Sequence, residues 1–289
     1  MGEFSPYPVE KSRRQQGVID KPMPIGYNAS NGTTAMRVLT YNVHLWEGRD
    51  GRMDIERLAT IIEHSEADIV SLNEVLHPVQ THLGVSRPLA ELANLLRMDW
   101  AFGESNRIVQ MSGWWGPVGN AVLSRFPVVD DTNHYLARLP LTQGRNLLTA
   151  RLEIGTDRLL TIFSTHLDHA FEGARLWQLR GVLDPLRVYR DDPHLLLGDF
   201  NTHGPTGVNS QRLTPPVVRM LRSRGYVDAY MAAGEGEAGT FPLFWPFRID
   251  YIFVPQIMQP HLLRCQVVTG KLVEQASDHR PLMATFNWN

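Results

Sequence analysis

The residues best suited to chemistry lie in His194-Leu195-Leu196-Leu197-Gly198-Asp199-Phe200-Asn201-Thr202. Three consecutive leucines between Pro193 and Gly198 read as a short strand buried on both faces. An acid and an amide two residues apart then share one face of the strand's tip. Asp199 could take a proton from water there while Asn201 donates to an oxyanion. Other apolar strands end the same way, at Asn42, Glu74 and His166. Asp250 interrupts an apolar run between Ile249 and Tyr251, and Asp278-His279 precedes the final apolar stretch. A carboxylate inside an apolar strand is costly without a partner. Pairing with His279 would supply one and would support the protonated imidazole. Glu74 is the natural ligand for a hard cation. With Cys265 the sole cysteine, Mg2+ or Mn2+ fits this donor set better than structural zinc.

The elements that must position these groups follow from pattern. Strands are expected at 36–41, 68–72, 100–104, 120–124, 147–154, 159–165, 194–197, 248–254, 262–269 and 282–286, with a ragged stretch at 128–136. Asp54 reads as the cap of a helix through 63, with Ile55, Leu58, Ile61 and Ile62 on one face. Further helices are expected at 87–97, 171–188 and 217–224. Residues 1–35, rich in Pro, Gly, Ser, Asn and charge, read as an arm ordered only if it docks. Residues 36–289 read as one catalytic domain of the α/β class: two mostly antiparallel sheets packed face to face, with helices outside.

The chain has 289 residues, 43% of them hydrophobic, and a formal charge of −2. That charge argues against gripping long nucleic acid by bulk electrostatics. One cysteine excludes an internal disulfide framework. No apolar run reaches membrane-spanning length and no signal-peptide segment is visible, so the expectation is a soluble chain. Met1-Gly2-Glu3-Phe4 reads as a cloning remnant, which leaves the native compartment open.

Taken together, Thr40-Tyr41-Asn42, Leu72-Asn73-Glu74, Gly119 to Arg125, Ser164-Thr165-His166-Leu167, Gly198-Asp199-Phe200-Asn201, Arg248-Ile249-Asp250-Tyr251 and Ser277-Asp278-His279 resemble the endonuclease/exonuclease/phosphatase (deoxyribonuclease I-like) superfamily, in its motif order. The resemblance implies a four-layer αββα sandwich and Mg2+-dependent cleavage of phosphate esters. It implies Glu74 as principal metal ligand, Asn42 beside it and Asp278 near the metal. Asp199 would activate water, Asn201 would bind a phosphate oxygen, and His166 and the His279–Asp250 pair would stabilise the transition state. Arg145 matches a phosphate-contacting arginine, and Asn120 lies near the position that supports the first histidine. The family usually has Gln where this chain has Asn73. His166 leans the chain away from AP endonucleases, and Gly119 to Pro127 and Ser164 to His169, followed by Arg175 and Gln178, look more like the sphingomyelinase, deadenylase and general phosphodiesterase branches.

Two other classes compete. Ser164 to His169 partly matches an H-x-H-x-D-H metal motif, but its first position is Ser and it leaves residues 198–201 unexplained. A catalytically inactive binding protein on the same fold is the second. For substrate, Trp114 and Trp245, in aromatic segments expected to be loops, are candidates for walling an apolar pocket. The expectation is a small or lipid phosphodiester, with nucleic acid or a phosphomonoester as the alternative, and a monomeric chain.

Overall fold

The computed structural model describes residues 9–10, 35–111, 113–138, 140, 142–204, 214–242 and 246–288. In chain order the first part contains β1 (Val9–Glu10), β2 (Ala35–Asn42), α1 (Ile55–His64), β3 (Ile69–Leu76), β4 (Val79–Thr81), β5 (Gly84–Ser86) and α2 (Pro88–Leu96). Next come β6 (Asp99–Met111), β7 (Trp114–Ser124), β8 (Val128–Tyr135), β9 (Asn146–Gly155), β10 (Arg158–His166) and α3 (Glu172–Leu186). The remainder holds β11 (His194–Gly204), α4 (Pro216–Arg222), β12 (Tyr226–Asp228), α5 (Ala229–Ala233), β13 (Gly234–Glu235), β14 (Phe241–Pro242), β15 (Pro246–Pro255), β16 (Leu262–Val267), α6 (Lys271–Ala276) and β17 (Leu282–Asn287).

These strands form two sheets. One runs β1-β8-β9-β10-β11-β15-β12, with β14 on β15; the other runs β13-β16-β17-β2-β3-β7-β4-β5, with β6 on β7. Among the described pairings only β10–β11, β2–β3 and β13–β16 are parallel. Alternation along the strands sorts the core into layers. Val38, Ile69, Val122, Leu148, Ile162, Leu197 and Ile252 pack between the sheets. Their neighbours turn outward: Leu39, Val70 and Leu123 meet α1 and α2, while Phe163, Leu196 and Phe253 meet α3 and α4. This is the expected αββα sandwich. Asp54 caps α1, accepting from the Arg57 N–H at 2.9 Å.

Several elements differ from the sequence reading. β6 and β7 are far longer than 100–104 and 120–124, because they pair with each other from Asp99↔Ser124 out to Met111↔Trp114. Trp114 therefore lies in a strand rather than a loop, and packs half-buried against the core beneath α1 and α2. The stretch at 128–136 is a strand with one irregularity, β8. The β4–β5 hairpin, α5 and α6 are too short for periodicity to announce. Of the expected N-terminal arm, Val9 and Glu10 pair with His134 and Asn133 at a sheet edge. Trp245 lies outside the described residues. No helix among the described residues is long and apolar enough to cross a membrane.

Candidate functional site

Strand pairing assembles the centre of the site. His166 of β10 stands opposite Asp199 of β11, and Asp199 stands opposite Asp250 of β15. Gly198 makes this register possible: its φ is +138, and a Cβ there would sit 1.8 Å from the Thr165 carbonyl. The glycine is thus required by close approach of two backbones rather than for flexibility. Beyond Asp199 the chain turns sharply. Asn201 has φ 50, and its N–H donates to Asp199 Oδ1 at 2.8 Å.

The opposite sheet supplies the second half. Asn42 ends β2, and its amide donates to Asp199 Oδ2 at 3.1 Å while its own Oδ1 accepts from the His44 N–H at 3.0 Å. Asn73 accepts from the Asp199 N–H at 2.9 Å and donates to Asn120 Oδ1 at 2.8 Å and to the Thr165 carbonyl at 3.1 Å. Asn120 in turn donates to Asn146 Oδ1 at 2.9 Å, and Asn146 to Asn133 Oδ1 at 2.8 Å. This ladder of buried, mutually satisfied amides forms a floor across both sheets. Asn120 belongs to that floor, with both ends of its amide engaged by protein. Asn73, which the sequence marks only as a departure, fixes Asp199 through its backbone.

Two histidines flank Asp199 Oδ2, His166 Nε2 at 3.4 Å and His279 Nε2 at 3.7 Å. His279 Nδ1 bonds Asp250 Oδ2 at 2.9 Å. Burial alone would push His279 down, but the Asp250 charge and hydrogen bond, with Asp199 and Asp278 beyond, lift it to about 10. It is therefore an imidazolium at neutral pH. His166 is pushed well below its ordinary value by burial, then by Arg145, His279, Arg107 and His169. Asn201 Nδ2 lies 2.9 Å from His166 Nε2 and 3.0 Å from the Leu167 carbonyl. An amide nitrogen so placed donates to both, which assigns the proton of the neutral ring to Nδ1. Asp199 is raised to about 7, by burial first and then by the Asp250 charge, against the pull of His279 and the Asn201 and Asn42 bonds.

Glu74 sits at φ 55, where β3 is irregular against β7, and its Oε1 lies 3.9 Å from His166 Nδ1. No Arg or Lys among the described residues lies within ion-pair distance of it. A carboxylate held in a costly backbone conformation without a cationic partner fits a hard divalent cation. The carboxylates of Asp199 and Asp250 and the His279 ring also place ligand atoms within 4.8 Å of one another. His279 suits a metal poorly, because its Nδ1 is committed to Asp250 and the ring is protonated. Asp278 is half-buried, lies 3.4 Å from the Ser277 hydroxyl, and reaches the site through its charge on His279.

Arg145 is buried, its Nε has no hydrogen-bond partner, and it feels the charges of Glu74, Asp199 and Asp168. Burial lowers its pKa, an unpaired guanidinium being costly there. Arg107, which sequence reasoning missed, bonds Gln143 and acts on Glu74, Arg145 and His166 from the irregular point where β6 leaves register with β7. Nothing in its sequence neighbourhood sets it apart; only the bulge turns it to the site. Phe241 packs on His279, ring centroids 4.9 Å apart, and His203 stacks on Phe247 at 4.6 Å. Asp168 is buried, accepting from the Ala170 N–H at 2.9 Å.

The model of the Endonuclease/Exonuclease/phosphatase family matches residues 29–279. Among solved structures, an endonuclease/exonuclease/phosphatase from Beutenbergia cavernae is similar with a TM-score of 0.69 and 23% identity, over 88% of this chain and 72% of that one. A mannosyl-6-phosphatase from Bacteroides thetaiotaomicron gives 0.64 and 20%, over 86% and 98%. TDP2 from C. elegans gives 0.61 and 18%, over 88% and 75%. At these identities the likeness is one of fold. No curated protein matches the chain.

Proposed function

This chain belongs to the endonuclease/exonuclease/phosphatase family, and from that premise we propose that it is a phosphodiesterase that hydrolyses small or lipid phosphodiesters with the help of Mg2+ or Mn2+. The observation that carries this reading is the cross-strand row His166–Asp199–Asp250 with His279 closing it. Asp199, held near pKa 7, orients water and accepts its proton. Asn42 and the Asn201 N–H fix the two carboxylate oxygens, and Asn73 fixes the backbone. His279, kept charged by Asp250, donates to the phosphoryl oxygen as negative charge accumulates. His166, kept neutral and oriented by Asn201, presents its Nδ1–H on the Glu74 side. Arg145 supplies a fixed positive charge to the bound phosphate. Glu74 and Asn42 would hold the divalent ion, with Asp278 nearby. When bound, the ion neutralises charge on the phosphate ester.

A second reading, phosphomonoesterase, is favoured by one observation: Arg107 and Arg145 both reach the site without an ion pair among the described residues. Two such guanidiniums suit a dianionic phosphate.

The test is turnover of bis-p-nitrophenyl phosphate, p-nitrophenyl phosphate and plasmid DNA with Mg2+ or Mn2+. The expected order places the diester first, and Asp199→Ala abolishes activity. Absence of turnover with either metal would leave the fold serving as a binding protein. Efficient DNA nicking at physiological salt would overturn the substrate preference.

A further inference from the structure

Beyond Glu74, the second sheet does not stop. Val75 and Leu76 of β3 pair with Gly119 and Val118, yet β7 continues outward to Trp114, paired with β6 throughout and with β4 at Gln80↔Trp115. Four residues of overhang at about 3.3 Å each carry this arm roughly 13 Å past the last β3–β7 pair. β4 and β5 form a hairpin alongside it.

The overhang carries apolar side chains that nothing among the described residues covers. Leu83 at the β4–β5 turn is 101% exposed, Ile108 on β6 77% and Val85 on β5 62%. On the facing sheet, Phe171 follows the site strand β10 and is 62% exposed. Apart from Val188, after α3, these are the most exposed large apolar residues among those described, and all four lie on segments that lead away from site residues. Register puts Val85 and Ile108 on one face of the arm, Val85 aligning through Gln80 and Trp115 with Gln110, two residues from Ile108. Exposed aliphatics sharing a face mark an interaction surface. The charge pattern selects its partner. Neither 75–90 nor 105–129 contains a single Asp or Glu, in a chain whose net charge is −2. The cationic groups at this end are Arg87, exposed just before α2, and Arg107 on β6, with His82 exposed beside Leu83. Aliphatic tips without carboxylates, flanked by arginine, suit an interface of acyl chains beneath anionic head groups.

We propose that the β4–β5 turn and the β6–β7 overhang dock the enzyme on an anionic lipid surface, presenting the site to phosphodiesters embedded in it. The proposal rests on the phosphodiesterase reading for its substrate, though not for the docking itself. The overhang places the site above the interface, so that a lipid head group reaches Asp199 and His279 while its chains stay in the bilayer.

The experiment is vesicle flotation of the full chain, with phosphatidylcholine alone and with phosphatidylcholine containing phosphatidylglycerol. Wild type should float with the anionic vesicles and only weakly with the neutral ones. Leu83→Asp combined with Ile108→Asp should lower partition by about a hundredfold, since each loses burial of a whole aliphatic side chain. Turnover of soluble bis-p-nitrophenyl phosphate by the same variant should be unchanged. Val85→Ser with Ile108→Ser serves as the milder pair if circular dichroism shows the charged pair misfolded. The proposal is overturned if wild type stays in solution with both vesicles, as a protein-docking surface would, if it floats equally with both, or if a folded variant floats like wild type. Vesicle binding without soluble turnover would sink the phosphodiesterase reading and leave the surface standing.

Discussion

The two histidines beside Asp199 are alike in burial and opposite in charge. His166 and His279 are 6% and 5% exposed, and both approach Asp199 Oδ2 through Nε2. Desolvation is the largest single influence on each and pushes both toward neutrality. What separates them is the next layer. His166 has an amide at its Nε2 and two arginines nearby; His279 has Asp250 at its Nδ1 and Asp278 adjacent. Burial therefore sets how strongly a neighbour is felt, and the neighbour's charge sets the sign. One flank becomes a fixed cation beside Asp199 Oδ2, the other a neutral ring whose single proton points toward Glu74.

Breaking the charged flank should have the largest effect in this comparison. His279→Ala and Asp250→Asn should each lower kcat by on the order of a thousandfold, and the double variant should lose little more, because the pair acts as a unit. Additive losses would refute the pairing. The pH profile carries the same signature. Asp199 must be ionised to accept a proton, so activity should rise with pH through about 7. His279 must stay protonated, so it should fall as pH approaches about 10. For stability the sign follows from the raised folded value. The stabilisation from charging His279 is complete below its ordinary 6.5 and is lost as pH rises through about 10. In Asp250→Asn the alkaline limb should move toward neutrality; a profile unchanged from wild type would detach Asp250 from His279.

Much of this site was legible in the sequence because its residues sit where apolar strands end. Asp199, Asp250 and His279 are called by pattern: a carboxylate in an apolar run demands a partner, and the structure brings His279 to it at 2.9 Å. The αββα layering was legible for the same reason, strands such as 194–197 reading as buried on both faces. Three things were not. Arg107 reaches the site through a bulge, and a bulge depends on which strand lies alongside rather than on local composition. Asn120 carries the residue type of a binding group yet is consumed by the amide floor, which only tertiary pairing reveals. Trp114 follows Gly113, a turn signal, so the chain around it reads as loop; its partner strand makes it β-structure.

The comparison can be sharpened from the neutral side. Asn201→Asp puts a carboxylate beside His166 Nε2, as Asp250 stands beside His279 Nδ1. The His166 ring should then hold a proton near neutral pH, visible as a raised imidazole titration by NMR. Activity should fall roughly tenfold to a hundredfold, an ordinary penalty for misplaced acid–base character. If His166 still titrates low, its neutrality comes from burial and from Arg145 and Arg107 rather than from the amide.

The smallest effect should come from the floor beneath both flanks. Asn73 holds the Asp199 N–H with Oδ1 and gives its amide hydrogens to Asn120 and Thr165, all within 3.1 Å. Asn73→Ala orphans a buried donor and two acceptors, so stability should drop by about 1–3 kcal/mol, the cost of leaving buried polar groups unpaired. Asn73→Gln keeps the amide and adds one methylene to a filled interior, an overpacking strain of about 1–3 kcal/mol set against a retained set of bonds. The two variants should therefore melt at similar temperatures yet differ in rate, the glutamine enzyme turning over several-fold faster than the alanine enzyme, as general-base positioning requires. Equal rates for the two would mean that Asp199 is held by Asn42 and Asn201 alone, and that the ladder below serves only to join the sheets.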